Sequence, residues 1–157
     1  MSKWKYLVIH CTATPEGKHF DGEDIKRWHL SPKPQGRGWS KVGYSELIHL
    51  DGTLETLVEY DHNDQIETWE ITNGAKGINS VSRHICYVGG TDSKGKAKDT
   101  RTEAQLKTLE MYVKSFLTVA PYLKVAGHNQ FANKACPSFD VPKWLRSIGV
   151  KEENIYK

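Results

Sequence analysis

The stretch Asn133 to Asp140, NKACPSFD, sets a thiol directly before a proline, late in a chain with three cysteines. Zinc prefers cysteine sulfur and histidine nitrogen, and a catalytic site uses three protein ligands with a fourth position open. His10 closes an apolar run near the start of the chain, and His128 lies eight residues before Cys136. Both are candidates to stand beside the thiol. The other histidines, His19, His29, His49, His62 and His84, leave further trios open on spacing alone, such as one built on His49 and His62. Taken singly, a cysteine is most often a small buried hydrophobe, so a site needs elements that bring these residues together.

The chain has 157 residues, the size of one domain with a real core. We expect that domain over residues 1–150, with 151–157 as a short peripheral tail. Hydrophobic residues make up 38% and charged residues 26%, which fits a globular protein and not a disordered one. Lys and Arg number 22 against 19 Asp and Glu, a net charge of +3 that tolerates an anionic partner but does not argue for nucleic acid. Three cysteines in a chain of this length are no disulfide framework and suit a reducing compartment or a metal site. The apolar run Tyr6–Ile9 is too short for a signal-peptide core or a membrane span. The expectation is a cytoplasmic, monomeric protein without a membrane or nucleic-acid partner.

The elements follow from pattern. Trp4 to Ile9 reads as a strand ending on His10, and Cys11 to Pro15 turns away from it. Asp21 caps a helix from Gly22 to about Leu30, with Ile25, Trp28 and His29 toward the core. Lys33 to Lys41 is loop. Tyr44–Leu50 and Thr53–Glu59 form a hairpin, with Asp51-Gly52 predicting a type I′ turn. Residues 67–82 have no clear period. Ile85–Val88 suits a buried central strand. Thr102 and Gln105 form a capping-box pattern ahead of a helix over 103–118. Leu123–Ala126 is a last strand ending at Gly127-His128, and Pro142–Ile148 is a closing helix that buries Trp144 and Leu145. Strands interleaved with helices predict an α/β fold, a mixed central β-sheet flanked by helices on both faces. Cys11 and Cys86 read as core thiols, with a Cys11–Cys86 disulfide as a minor alternative.

Several stretches, in order, resemble the zinc-dependent N-acetylmuramoyl-L-alanine amidases, which include phage lysozymes of amidase type and peptidoglycan-recognition proteins. They are Ile9-His10-Cys11-Thr12-Ala13-Thr14, Gly43-Tyr44, Asp51-Gly52-Thr53, Ala75-Lys76-Gly77, Val88-Gly89-Gly90, Gly127-His128 and Lys134 to Asp140. The resemblance implies Zn²⁺ held by His10, His128 and Cys136, with supporting catalytic roles for Tyr44 and Lys134. It implies the matching fold and hydrolysis of peptidoglycan or muropeptides between N-acetylmuramic acid and L-alanine, as in a phage-like endolysin acting on the wall after release. Lys134, two residues from the thiol, would lower the thiol pKa and reach a developing oxyanion. Tyr44 would orient rather than act as a base, since a phenol titrates near pH ~10. Trp39, Arg37 and Lys76 fall on loops expected around the cleft, where an aromatic face suits sugars and Arg suits stem carboxylates.

The chain also departs from that pattern. Ser45-Glu46 follow Tyr44 where many relatives carry a histidine and an aromatic. Cys86 stands where some cytoplasmic relatives place a glutamate base, His84 where glycine is common, and Gly74 where phage lysozymes often have histidine. The alternatives are a non-catalytic peptidoglycan-binding module, which typically lacks the ligand cysteine, and a muropeptide-recycling amidase. RNA polymerase enters as a partner by family likeness only.

Overall fold

The computed structural model describes residues 2–157. Its sheet has five strands in the order β4-β3-β5-β1-β7: β1 is Tyr6–Cys11, β3 Glu46–Ile48, β4 Leu54–Thr56, β5 Ser82–Tyr87 and β7 Lys124–Gly127. β1 runs parallel to β5 and β7, and β3 parallel to β5, while β3 and β4 are antiparallel. The sheet is therefore mixed. A small parallel pair, β2 (Thr14–Pro15) with β6 (Gly90–Thr91), sits outside it and was not foreseen from pattern.

Side chains on a strand alternate between faces, so each strand feeds two layers. Leu7 and Ile9 of β1, Ile85 and Tyr87 of β5, Ile48 and Val125 are buried with Leu109, Val113 and Phe116 of α2 (Glu103–Val119) and Val141 and Leu145 of α3 (Val141–Ser147). On the other face Leu47 and Cys86 pack with Ile25 of α1 (Gly22–Leu30), flanked by Phe20, Trp28 and Tyr44. Helices thus cover both faces. His10 shares the α1 face with Cys86, because His10 and Cys86 are register partners across β1 and β5.

Local chemistry sets the helix starts. Asp21 accepts the Asp24 N–H and Asp24 returns a bond to the Asp21 N–H, fixing α1 at Gly22. Thr102 and Gln105 do the same for α2. Gln105 is fully buried, and its amide donates to the carbonyls of Ile48 and Val88, tying the helix to the sheet.

The hairpin differs from expectation. His49 N–H donates to Thr53 O and Gly52 N–H to His49 O, and only Gly52 (φ +87°), not Asp51, has positive φ. A type I′ turn needs both central residues there, so the connection is a longer loop closed by one left-handed glycine. A Cβ on Gly52 would lie 2.8 Å from the Ala104 carbonyl oxygen, so α2 also excludes a side chain. Trp28 and Trp144 are only half-buried. The last residues are less peripheral than expected: Ile155 is 1% exposed and bridges Val125, and Asn154 donates to the carbonyls of Pro121 and Leu123. Among the described residues no helix is long and apolar enough to cross a membrane.

Candidate metal centre and cleft

Parallel register assembles the site. Ile9 pairs with Gly127 across β1 and β7, so the next residues, His10 and His128, leave the ladder side by side with ring centroids 4.6 Å apart. The loop after His128 returns Cys136 to the same strand end. Its sulfur accepts the Cys11 N–H at 3.3 Å and lies 3.8 Å from His10 Nδ1. That loop is anchored twice: Tyr87 Oη donates to Pro137 O at 2.6 Å, and Ser138 Oγ to Gly90 O at 2.8 Å. One donor atom from each of His10, His128 and Cys136 lies within 4.8 Å of the others. His49 and His62 join no comparable group among the described residues; His49 instead contacts Glu55 at 2.8 Å.

The electrostatics keep both imidazoles uncharged. Burial holds the His10 imidazole well below its ordinary pKa, with His84, His128 and Lys134 adding to the effect. His128 is lowered by burial and by Lys134. Both rings therefore keep a free lone pair at neutral pH, as metal binding requires. The Cys11 thiol, then burial, push the Cys136 thiol above its ordinary value, while the Cys11 N–H pulls the other way. The Lys134 ammonium thus acts on the two imidazoles; the groups that move the thiol are Cys11, burial and Cys86. Cys11 is a core thiol as expected, and its backbone also borders the site. A Cys11–Cys86 disulfide does not form: Cys11 pairs in register with Tyr87, so Cys11 and Cys86 project from opposite faces of the sheet, and all three cysteines are free.

From His128 opens a cleft of about 560 Å³ whose lining also includes Tyr44 and Lys134, with Arg37, Trp39 and Lys76 at its walls. Lys134 is exposed on its loop, whereas Tyr44 is half-buried, its ring 5.1 Å from that of His10 and 5.2 Å from that of His29. Burial, then the thiols Cys86 and Cys136, push the Tyr44 phenol well above its ordinary value, so it stays a neutral donor. The Arg37 guanidinium stacks 5.0 Å over Trp39, and Trp39 packs against His29.

Sequence reasoning passed over three residues here. His29, read as a core-facing residue and one of the histidines that spacing leaves open, accepts the Gly43 N–H at Nδ1 and so holds the backbone beside Tyr44. His84, a departure from the family pattern and one of the histidines that spacing leaves open, is fully buried with Nδ1 2.8 Å from His10 Nε2, and burial lowers its pKa to about 3. Asn79 was not singled out; its side-chain oxygen contacts His84 Nε2 at 3.0 Å. The only signal was the coupled exchange at positions 74 and 84, glycine for histidine and histidine for glycine.

The sequence model of the family described as N-acetylmuramoyl-L-alanine amidase matches residues 1–139. An endolysin of Enterobacteria phage K11 is 32% identical over 141 residues, covering 90% of this chain and 85% of its own. N-acetylmuramoyl-L-alanine amidase LysC from Clostridium intestinale URNW shares the fold with a TM-score of 0.73 at 19% identity, over 96% of this chain and 88% of that one. The ectodomain complex of peptidoglycan recognition proteins LCa and LCx with bound tracheal cytotoxin gives 0.69 at 18% identity, over 98% and 87%.

Proposed function

The chain belongs to the N-acetylmuramoyl-L-alanine amidase family, and from that premise we propose that zinc held by His10, His128 and Cys136 serves its reaction, with Lys134 and Tyr44 in supporting catalytic roles. The reaction is hydrolysis of the amide between N-acetylmuramic acid and L-alanine of peptidoglycan, in the manner of a phage endolysin. The observation that carries the zinc assignment is the convergence of two imidazole nitrogens and one sulfur within 4.8 Å, with His128 lining an open cleft. That donor set, soft and free of carboxylate, fits zinc and not magnesium or calcium, and three ligands leave the position a catalytic zinc needs.

Zinc bound there would polarise the scissile carbonyl and lower the pKa of a water molecule from about 15.7 toward about 7. The protein does the rest. Lys134 extends from the loop that carries Cys136 and brings an ammonium to the oxygen on which charge develops. Tyr44, held neutral, donates a hydrogen bond that orients the attacking water or the tetrahedral carbon's oxygen. Arg37, Trp39 and Lys76 receive the ligand: the indole offers a face to a sugar, and the two cations face stem-peptide carboxylates. The tracheal cytotoxin bound by the peptidoglycan recognition proteins of the same fold supports a wall fragment as the ligand.

Metal analysis of the purified chain should find one zinc, and digested sacculi should release new L-alanine amino termini. A chain without zinc, or one that releases new reducing sugar ends instead, would sink the reading. Relative rates on intact sacculi and on soluble anhydro-muropeptides separate wall lysis from muropeptide recycling.

A further inference from the structure

A metal-binding imidazole must present one nitrogen without its proton, and the contact at the other nitrogen selects which one. In this chain that contact is traceable to a backbone anchor. Asn79 Oδ1 accepts the N–H groups of Gly74 at 2.9 Å and Ala75 at 2.8 Å. A backbone N–H only donates, so the Asn79 atom at that point is its oxygen and not its amide nitrogen. The same oxygen lies 3.0 Å from His84 Nε2, which must therefore carry a hydrogen. A neutral His84 then has only a lone pair at Nδ1, and its 2.8 Å contact with His10 Nε2 requires the proton to sit on His10 Nε2. What remains on His10 is an unprotonated Nδ1, the atom 3.8 Å from Cys136 Sγ.

We propose that Asn79 and His84 are positioning residues, a two-step hydrogen-bond relay that fixes the tautomer and ring orientation of His10 so that Nδ1 is its metal-binding atom. The packing is specific to this pair of positions. A Cβ on Gly74 would lie 2.5 Å from His84 Cγ and Nδ1, so the bare glycine is what admits the His84 ring between Asn79 and His10. The imidazole and the glycine at positions 84 and 74 are two halves of one device. Zinc-binding histidines ordinarily give their second N–H to a carboxylate, a carbonyl or water; here another imidazole takes it.

The inference rests on zinc at His10, His128 and Cys136, and the test separates the two. In the zinc-loaded full chain labelled with ¹⁵N-histidine, two-bond ¹H–¹⁵N couplings should show His10 and His84 each protonated at Nε2, with His10 Nδ1 bound to metal. His84→Phe keeps a ring but no acceptor. It should weaken zinc binding, measured by competition with a chromogenic chelator, by roughly 10–100-fold, and shift the visible bands of the cobalt-substituted protein. Zinc uptake with His10 bound through Nε2 overturns the relay while leaving the trio intact, as do wild-type affinity and unchanged cobalt bands in a folded His84→Phe. A wild-type chain that takes up no zinc overturns the trio and the relay together. If His84→Phe does not fold, the wild-type couplings decide.

Discussion

Lys134 and Tyr44 are held in different ways, and substitutions at each should show it. Lys134 is exposed on a loop, so Lys134→Ala should leave stability and zinc content unchanged and lower turnover roughly 10²–10³-fold, the usual worth of one oxyanion donor. Tyr44→Phe keeps the ring that packs on His10 and His29 and removes only the hydroxyl; it too should retain zinc and lose most turnover. Single-turnover rates on sacculi beside metal analysis check both, and near wild-type turnover in both variants would remove these roles. His29 makes a separate prediction about pH. Burial, then Arg37, hold its pKa at about 4, below the ordinary ~6.5 of an unfolded chain. As pH falls, the unfolded chain takes up the proton first. The stabilisation is therefore complete above about pH 6.5 and lost on the way down to about pH 4, at most about 3 kcal/mol. Glutamine can still accept the Gly43 N–H, so the urea midpoint of His29→Gln should fall less steeply than wild type across that window.

At the scale of the element, α2 is where a local signal and a tertiary bond share one residue. The Thr102 and Gln105 capping box is legible in sequence because it spans four residues, and the structure starts α2 at Glu103 as expected. The bonds from Gln105 to Ile48 and Val88 were not legible, because they join residues about 17 and 57 positions apart that only the fold brings together. Gln105→Leu should destabilise by about 2–4 kcal/mol, since it removes the side-chain donor to the Val88 carbonyl, leaves Ile48 O with only the Val88 N–H, and loses half the cap. Thr102→Ala should cost about 1 kcal/mol. Chemical denaturation of both, and of the double variant, should show less than additive losses. The same divide runs through the candidate site. His10 at a strand end, and Cys136 in KACPSFD, could be read from short motifs. The His84 contact could not, because it depends on β1 and β5 register, on the absent side chain of Gly74 and on where the irregular segment before β5 places Asn79. The hairpin turn failed for a related reason: Asp51-Gly52 is a strong local signal, but α2 packed over Gly52 decides which loop fits.

Across the whole molecule, the three proposed ligands sit at one end of the sheet while the two apolar layers lie beneath α1 and beneath α2 with α3. The buried apolar residues of both layers come from outside the trio, with Cys136 packed at the edge of one. Chelated protein should therefore keep its far-ultraviolet circular dichroism, unlike a zinc finger, which unfolds without metal. It should still melt earlier, because a metal that binds only the native state adds about 4 kcal/mol at a thousandfold excess over its dissociation constant. A chain that lost its secondary structure on chelation would contradict this separation of core and site.

The strand that carries His10 lies inside the sheet, between β5 and β7, and Cys136, the thiol of the proposed trio, follows His10 by 126 positions. Synthesis must pass Cys136 before all three proposed ligands exist. Chains that stop short of Cys136, and fragments cut between His10 and Cys136, would lack the proposed metal centre, so lytic activity would arrive only with the later residues.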